Sequence, residues 1–248
     1  MSAKKIVNPP HELITLAIDI GGTGIKMMAL SAEGKPLTER WRVPTPQPPT
    51  PKRILKLLDE MRARTGNFDR VSVGYPGVIK RGTTLTAANL NDKWLGFPLQ
   101  KELERRWKKP VRLANDAAIQ GFAAIKGRGV ELALTLGTGL GSALYTHGHL
   151  CPGLELAHHP WRKGKTYEEF LGRAGLKNVG LKHWNHLVSE AIEQTQKLFN
   201  WDKLYIGGGN AKKLTIKLGE NVSIISNEDG LLGGAALWRD EDAGGQPQ

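Results

Sequence analysis

The chain has 248 residues, of which 35 are Lys or Arg and 24 are Asp or Glu, for a formal charge of +11. Apolar residues at 40% and charged residues at 24% are ordinary for a folded chain, so disorder throughout is excluded. The lone Cys151 excludes a disulfide scaffold and a thiolate zinc site, and no apolar run nears the ~18 residues of a membrane span.

The opening stretch MSAKKIVNPPHEL has two lysines but no apolar centre after them, so it is not a secretory signal, and a cytoplasmic protein is expected. LITLAIDI, residues 13–20, reads as a buried strand, broken by Gly21-Gly22-Thr23-Gly24. Residues 25–31 and Leu37–Val43 read as the next two strands, with a turn at Glu33-Gly34-Lys35. The five prolines from Pro44 to Pro51 exclude a strand or a helix interior there. A helix follows, with Thr50 as N-cap, Pro51 in its first turn, apolar Ile54, Leu55, Leu57, Leu58 and Met61, and Gly66 as its stop. Val71–Tyr75 is a strand, Leu99–Trp107 a short helix, Val111–Leu113 a short strand and Asn115–Lys126 a helix.

Strand, glycine loop, strand and turn then recur in LALTLGTGLGSALYTHGHL, residues 132–150. The separation of about 115 residues suggests an internal duplication and two similar α/β lobes around a cleft. Tyr167–Leu171 and Leu181–Phe199 read as helices. LYIGGGNA, residues 204–211, reads as a strand entering a triple glycine and a helix. Val222–Ile225 is a strand, Gly230–Trp238 a last helix, and the tail DEDAGGQPQ a frayed end. The boundary is expected between residues 1–114 and 115–248, with the last helix packing back on the first lobe.

Five stretches carry chemistry. In Asp19-Ile20-Gly21-Gly22-Thr23 a strand delivers a carboxylate to its end, and two glycines let backbone N–H groups reach an anion. Leu136-Gly137-Thr138-Gly139 repeats this in the second half. Either loop alone could be a tight turn, but two related loops suggest a polyphosphate held between lobes. Lys26, on the strand after the first loop, is open to a structural reading. Asn115-Asp116 can be an N-cap, or a general base beside the phosphates. An ordinary carboxyl pKa of about 3.9 would leave Asp116 ionised at pH 7. Glu155 and His158, three apart, suit a polyol, or are a core histidine and a surface pair. Gly207-Gly208-Gly209-Asn210 allows close approach of a base or ribose, or a tight helix entry.

The set, in this order, with Gly74-Tyr75-Pro76-Gly77 and with Ala87-Ala88-Asn89-Leu90 and Trp94, resembles the ROK-family sugar kinases. The likeness runs from about Leu13 to Trp238. Within the family it looks most like the zinc-free polyphosphate glucokinases, through LTLGTGLGSAL and TAANL with its following tryptophan. The resemblance implies an α/β protein of the actin-like ATPase (ribonuclease H-like) fold. It implies transfer of a terminal phosphoryl from ATP or inorganic polyphosphate to the 6-hydroxyl of glucose, with Mg2+. Asp116 matches the catalytic base. Asn89, Asn115, Asp116, Glu155 and His158 match sugar ligands. Asp19 matches the carboxylate near the metal-bound phosphates, Gly21, Gly22, Thr23, Gly137, Thr138 and Gly139 the phosphate contacts, and Gly207, Gly208 and Gly209 the nucleotide-side turn.

The chain departs from the family pattern in three places. The cysteine cluster that many members carry after Glu-x-x-His is replaced by Pro160-Trp161-Arg162-Lys163-Gly164-Lys165, so no zinc is expected. Ala157 stands where the family has glycine before the histidine. A further sugar-binding glutamate is matched by Glu168, with Glu169 adjacent. The basic residues Arg162, Lys163 and Lys165 either steer a polyanion or form a solvated loop. Without clustered aromatics, nucleic acid is not an expected partner, and neither is a membrane. A homodimer is common in the family. Another hexose, mannose or an amino sugar, is the nearest variant. A non-catalytic sugar-responsive regulator is the alternative from another class, set against by a first strand that begins near Leu13 and by an intact Asp116.

Overall fold

The computed structural model describes residues 12–87, 90–151, 153–226 and 228–238. In chain order the first half forms β1 (Thr15–Ile20), β2 (Gly24–Leu30), β3 (Trp41–Pro44), helix α1 (Pro51–Arg62) and β4 (Arg70–Tyr75). A small hairpin of β5 (Ile79–Lys80) and β6 (Thr83–Thr84), helix α2 (Leu99–Trp107) and β7 (Val111–Asn115) complete it. The second half forms α3 (Asp116–Ala124), β8 (Val130–Leu136), β9 (Leu140–Thr146) and β10 (His149–Cys151). Next come a hairpin of β11 (Pro160–Arg162) and β12 (Lys165–Thr166), helices α4 (Tyr167–Leu171), α5 (Arg173–Val179) and α6 (Leu181–Phe199), and β13 (Lys203–Gly207), β14 (Val222–Ile224) and α7 (Gly233–Ala236).

Two five-stranded sheets result, in the orders β3-β2-β1-β4-β7 and β10-β9-β8-β13-β14. In each, the first two pairings from the meander are antiparallel and the last two are parallel. The shared strand order and shared pairing sense are the internal duplication that the repeated glycine loop suggested.

Strand alternation sorts the first sheet into two faces. Leu16, Ile18, Ile20, Ile25, Met27, Val71, Val73, Val111 and Leu113 face α1 and α2, burying Ile54, Leu55, Leu58, Met61, Leu99 and Leu103. Each such side chain contributes roughly 1.5–3 kcal/mol of burial. Ala17, Met28 and Leu30 face the other way and meet Leu231 and Ala235. Helix α3 touches strands of both sheets and also α7. Its Ala118, Ile119 and Phe122 share a third core with Ala133, Ala143, Tyr145 and Leu237. Ser72 donates to the Gly234 carbonyl at 2.6 Å, the Trp238 indole donates to Ser72 at 2.9 Å, and Arg112 donates to the Leu237 carbonyl at 2.8 Å. Among the described residues no helix is long and apolar enough to cross a membrane.

Several boundaries differ from the sequence expectations. The third strand is only Trp41–Pro44, because Pro36 bridges back to Leu30 and turns the chain first. Thr50 is the N-cap of α1, but its hydroxyl makes no capping bond, and the helix ends at Arg62, short of Gly66. The turn after Gly209 is a single 3-10 turn, Ala211–Lys213, not a longer helix. The last helix splits into a 3-10 turn, Glu228–Leu231, and the four-residue α7.

Candidate active site

The site grows from the N-terminus of α3, which stands between the two glycine hairpins. Asn115 ends β7 and caps α3, its side-chain oxygen accepting from the Ala117 N–H at 2.8 Å. Its amide nitrogen donates to the Gly77 carbonyl at 3.3 Å. The N-cap reading of Asn115 therefore holds, and its oxygen is committed to the helix. Asp116 follows and accepts from the same Ala117 N–H at 2.8 Å. Gly141 on β9 lets the second hairpin come this close, since a Cβ there would stand 2.7 Å from the Ala117 Cβ and collide with the Thr135 hydroxyl.

The electrostatics of Asp116 overturn one expectation. Burial, and next the negative charge of Asp19, push its carboxyl pKa up to about 7, with Glu155 adding to the rise and Lys26 opposing it. The ordinary value near 3.9 assumed an exposed carboxyl, whereas this one is desolvated among like charges. Such a group is poised between acid and base at neutral pH, as a proton-transfer catalyst requires.

Asp19 ends the first strand and takes the Lys26 ammonium on its Oδ2 at 2.8 Å. Lys26 thus has a structural partner beside the loop. The loop itself is closed by the Gly21 N–H to the Gly24 carbonyl at 3.1 Å and clasped by the Thr45 hydroxyl on the Gly21 carbonyl at 2.5 Å. Among the described residues the N–H groups of Gly22 and Thr23 have no protein acceptor. In the second loop the Gly137 N–H bonds the Gly139 carbonyl at 3.0 Å, and the N–H groups of Thr138 and Gly139 are likewise open. Pairs of adjacent open N–H groups are what an anion binds.

Glu155 lies on the segment that Ser142 pins to β9: the Ser142 hydroxyl contacts the Leu154 carbonyl and the Leu156 N–H, both at 3.3 Å. Burial raises its pKa, with His158 opposing and Glu168 assisting the rise. His158 stands 4.0 Å from Glu155 and its side chain is exposed. Ala157 points into the second core. Of the two candidate glutamates, Glu169 is spent on a capping box, accepting from the Thr166 N–H at 2.8 Å. Glu168 accepts from the Leu140 N–H at 3.1 Å and lies where a Cβ on Gly139 would collide with it. Glu168 is therefore the one that faces the site, and it sits on the second loop.

Gly207 ends β13 behind that loop, and Gly208 and Gly209 follow it. Gly208 has φ +90° and presses on the Leu136 backbone, where any Cβ would collide. Asn210 donates from its backbone to the Leu136 carbonyl at 2.8 Å and from its side chain to the Gly137 carbonyl at 2.9 Å. The close approach made by Gly208 is to the protein's own second loop. Asn89 lies outside the described residues. Among the basic rim residues Arg162 is held by Glu190 at 2.9 Å and stacks on Trp161. Thr45, which clasps the first loop, carried no motif in the sequence, and Asn210, read there only as part of the triple-glycine turn, clasps the second.

Asp19, Asp116, Glu155, His158 and Glu168 thus form one string of polar groups between two anion-ready loops. The sequence profile of the ROK family matches residues 15–160. The chain belongs to the ROK family. It is 30% identical over 238 residues to the polyphosphate glucokinase of Mycobacterium leprae (strain TN), covering 88% of this chain and 72% of that protein. It is similar to the crystal structure of the inorganic polyphosphate/ATP-glucomannokinase of Arthrobacter sp. strain KM, with TM-score 0.78, 31% identity and coverage of 90% and 97%. The ROK family glucokinase of Streptomyces griseus, solved with glucose and AMPPNP, shares the fold at TM-score 0.70 and 21% identity, covering 90% of this chain and 98% of that one. The paired sheets are accordingly those of the actin-like ATPase fold of ROK proteins, as the resemblance implied.

Proposed function

We propose that this ROK protein is a hexose kinase that transfers the terminal phosphoryl of ATP or inorganic polyphosphate to the 6-hydroxyl of glucose. The observation that carries the reading is the placement of the Asp116 carboxyl, desolvated at the start of α3 between two glycine loops with open N–H groups. The named activities of its relatives in Mycobacterium leprae and Arthrobacter agree with it. The loops would hold the donor phosphates through the N–H groups of Gly22, Thr23, Thr138 and Gly139. Glu155, His158 and Asn115, with Asn89, would orient the sugar hydroxyls. The hydroxyl oxygen attacks the terminal phosphorus, the bond to the leaving phosphate breaks, and Asp116 takes the hydroxyl proton late in the transfer. Residues 1–114 and 115–248 would act as two lobes whose approach excludes water.

The carboxylates fit a divalent cation shared with the donor. Asp19 and Asp116 repel each other, and their hard oxygens suit Mg2+. Among the described residues no three His, Cys, Asp or Glu side chains cluster around one point. That matches an ion which takes one or two carboxylates and the rest of its shell from phosphates and water. When bound, it would neutralise charge on the transferring phosphates. Asp19 would hold it, with the Lys26 ammonium at 2.8 Å keeping that carboxylate in place.

Mannose or an amino sugar is the nearest alternative acceptor, and a regulator is the alternative class. The raised, proton-ready Asp116 favours catalysis over sensing. We place the protein in the cytoplasm and expect a homodimer, which light scattering checks. Phosphorylation of glucose, mannose and glucosamine with each donor tests the reading. Glucose is expected to give the highest kcat/KM; turnover of none of the three contradicts it.

A further inference from the structure

One row of side chains on the first sheet is not used up by the chemistry at Asp116. Cross-strand pairing runs from Arg42 on β3 to Lys26 on β2, Asp19 on β1 and Gly74 on β4. Paired residues share a face. Their strand neighbours Trp41, Val43, Ile25, Met27, Ile18 and Val73 all turn to the α1 and α2 core. The row therefore points to the other face, where α3 and α7 lie. One row back, that face is covered, Ala17 and Ser72 by Gly234 and Met28 by Leu231 and Ala235. The row itself is open: the Lys26 and Asp19 side chains keep 30% and 21% of their exposure, and Arg42 is exposed.

Arg42 is set against the first glycine loop. Its Nε and Nη2 stand 3.0 Å from where a Cβ on Gly24 would be. Lys26 is committed to Asp19 at 2.8 Å, whereas Arg42 has no hydrogen-bonding or ionic partner among the described residues. An unpaired guanidinium beside a loop with open N–H groups extends the anion site outward, because β3 is the edge strand. Side chains paired across strands stand about 5 Å apart, so Arg42 is the next group outward from the ion pair of Lys26 and Asp19, on the side away from Asp116. Trp41 and Val43 face the opposite way, so this strand offers a nucleoside base no apolar surface on which to stack. A chain of phosphates that runs past the ion pair of Lys26 and Asp19 would meet the uncompensated charge of Arg42.

We infer that Arg42 is a donor-specificity residue, binding phosphate units of an inorganic polyphosphate chain beyond those held by the first glycine loop. The inference rests on the reading that this loop holds the phosphoryl donor. Calorimetric binding of long-chain polyphosphate and of tripolyphosphate to the full chain tests it without turnover, alongside KM for each donor with glucose. The variants are Arg42→Ala, Arg42→Lys and Lys56→Ala, the last removing one exposed charge from α1. Arg42→Ala is expected to weaken long-chain binding about tenfold and tripolyphosphate binding less than about threefold, as for loss of one charge-assisted contact. Arg42→Lys should recover part of the loss, and Lys56→Ala should bind as the wild type does. Salt should weaken the wild type more steeply than Arg42→Ala. Equal losses at both chain lengths, no loss, or a wild type that does not bind polyphosphate would overturn the inference. A wild type that binds polyphosphate through Arg42 yet phosphorylates no sugar would sink the kinase reading and leave the assignment of Arg42 standing.

Discussion

The loop after β1 and the loop after β8 close the same hairpin in sheets of the same strand order, and each leaves two adjacent N–H groups open. Their surroundings differ in sign. The first loop has Lys26 beneath it and the Arg42 guanidinium against it, and a threonine hydroxyl clasps it. The second has the Glu168 carboxylate against Gly139, and it is wedged from behind by Gly208 and Asn210. Duplication preserved the backbone device while the side chains around it diverged. The cationic copy suits a polyanion directly. The carboxylate-bearing copy favours an anion that arrives with a cation, or a neutral hydroxylated group near Glu155.

The largest effect should come from the group between the loops. Asp116→Asn is expected to lower kcat/KM by at least about 100-fold, in the range of a lost general base. The same change should stabilise the fold. A carboxyl raised from 3.8 to about 7 binds more protons folded than unfolded within that window, so wild-type stability falls as pH rises through it. The variant should gain on the wild type from pH 4 to 7, by up to about 4 kcal/mol, with the gap constant above. Urea titrations at pH 5 and pH 8 check this, and an equal gap at both would refute it. In the free wild-type enzyme, log kcat/KM should rise with pH and level near 7 as this carboxyl ionises, and a flat profile from pH 5 to 8 would count against Asp116 as base.

The next effect separates the two loops by how they are backed. Gly208→Ala puts a methyl into the Leu136 backbone at positive φ and should cost on the order of 3 kcal/mol, read as a lower urea midpoint. Gly24→Ala meets only the mobile end of Arg42 and should cost under about 1 kcal/mol while raising KM for polyphosphate. Equal costs would show that the loops are backed alike. The smallest effect is Thr45→Ala, which removes the hydroxyl from the Gly21 carbonyl and should cost about 1 kcal/mol in the same titration.

What could be read from the sequence was local. Leu99–Trp107, Tyr167–Leu171 and Leu181–Phe199 form helices with the bounds read from the sequence. The duplicated hairpin was legible because each copy carries its own glycines between its own strands. The site was legible as a set of motif positions, and Asp19, Asp116, Glu155, His158 and Glu168 do lie together. The pKa of Asp116 was not, since it depends on burial and on Asp19, 97 positions away in the sequence and beside it in space. Nor was the work of Gly208, whose partner Leu136 sits on another strand. Arg42 could have been found from alternation alone, since Trp41 and Val43 are apolar and the residue between them must face the other way.

The central claim is that Asp116, between two glycine loops, takes the proton of a sugar hydroxyl as that hydroxyl receives a phosphoryl group. Its most direct test is a coupled glucose 6-phosphate assay with ATP and, separately, long-chain polyphosphate, on the wild type and Asp116→Ala. The account predicts turnover with at least one donor and its loss in the variant. Activity that survives in Asp116→Ala would contradict the mechanism even with the family membership intact.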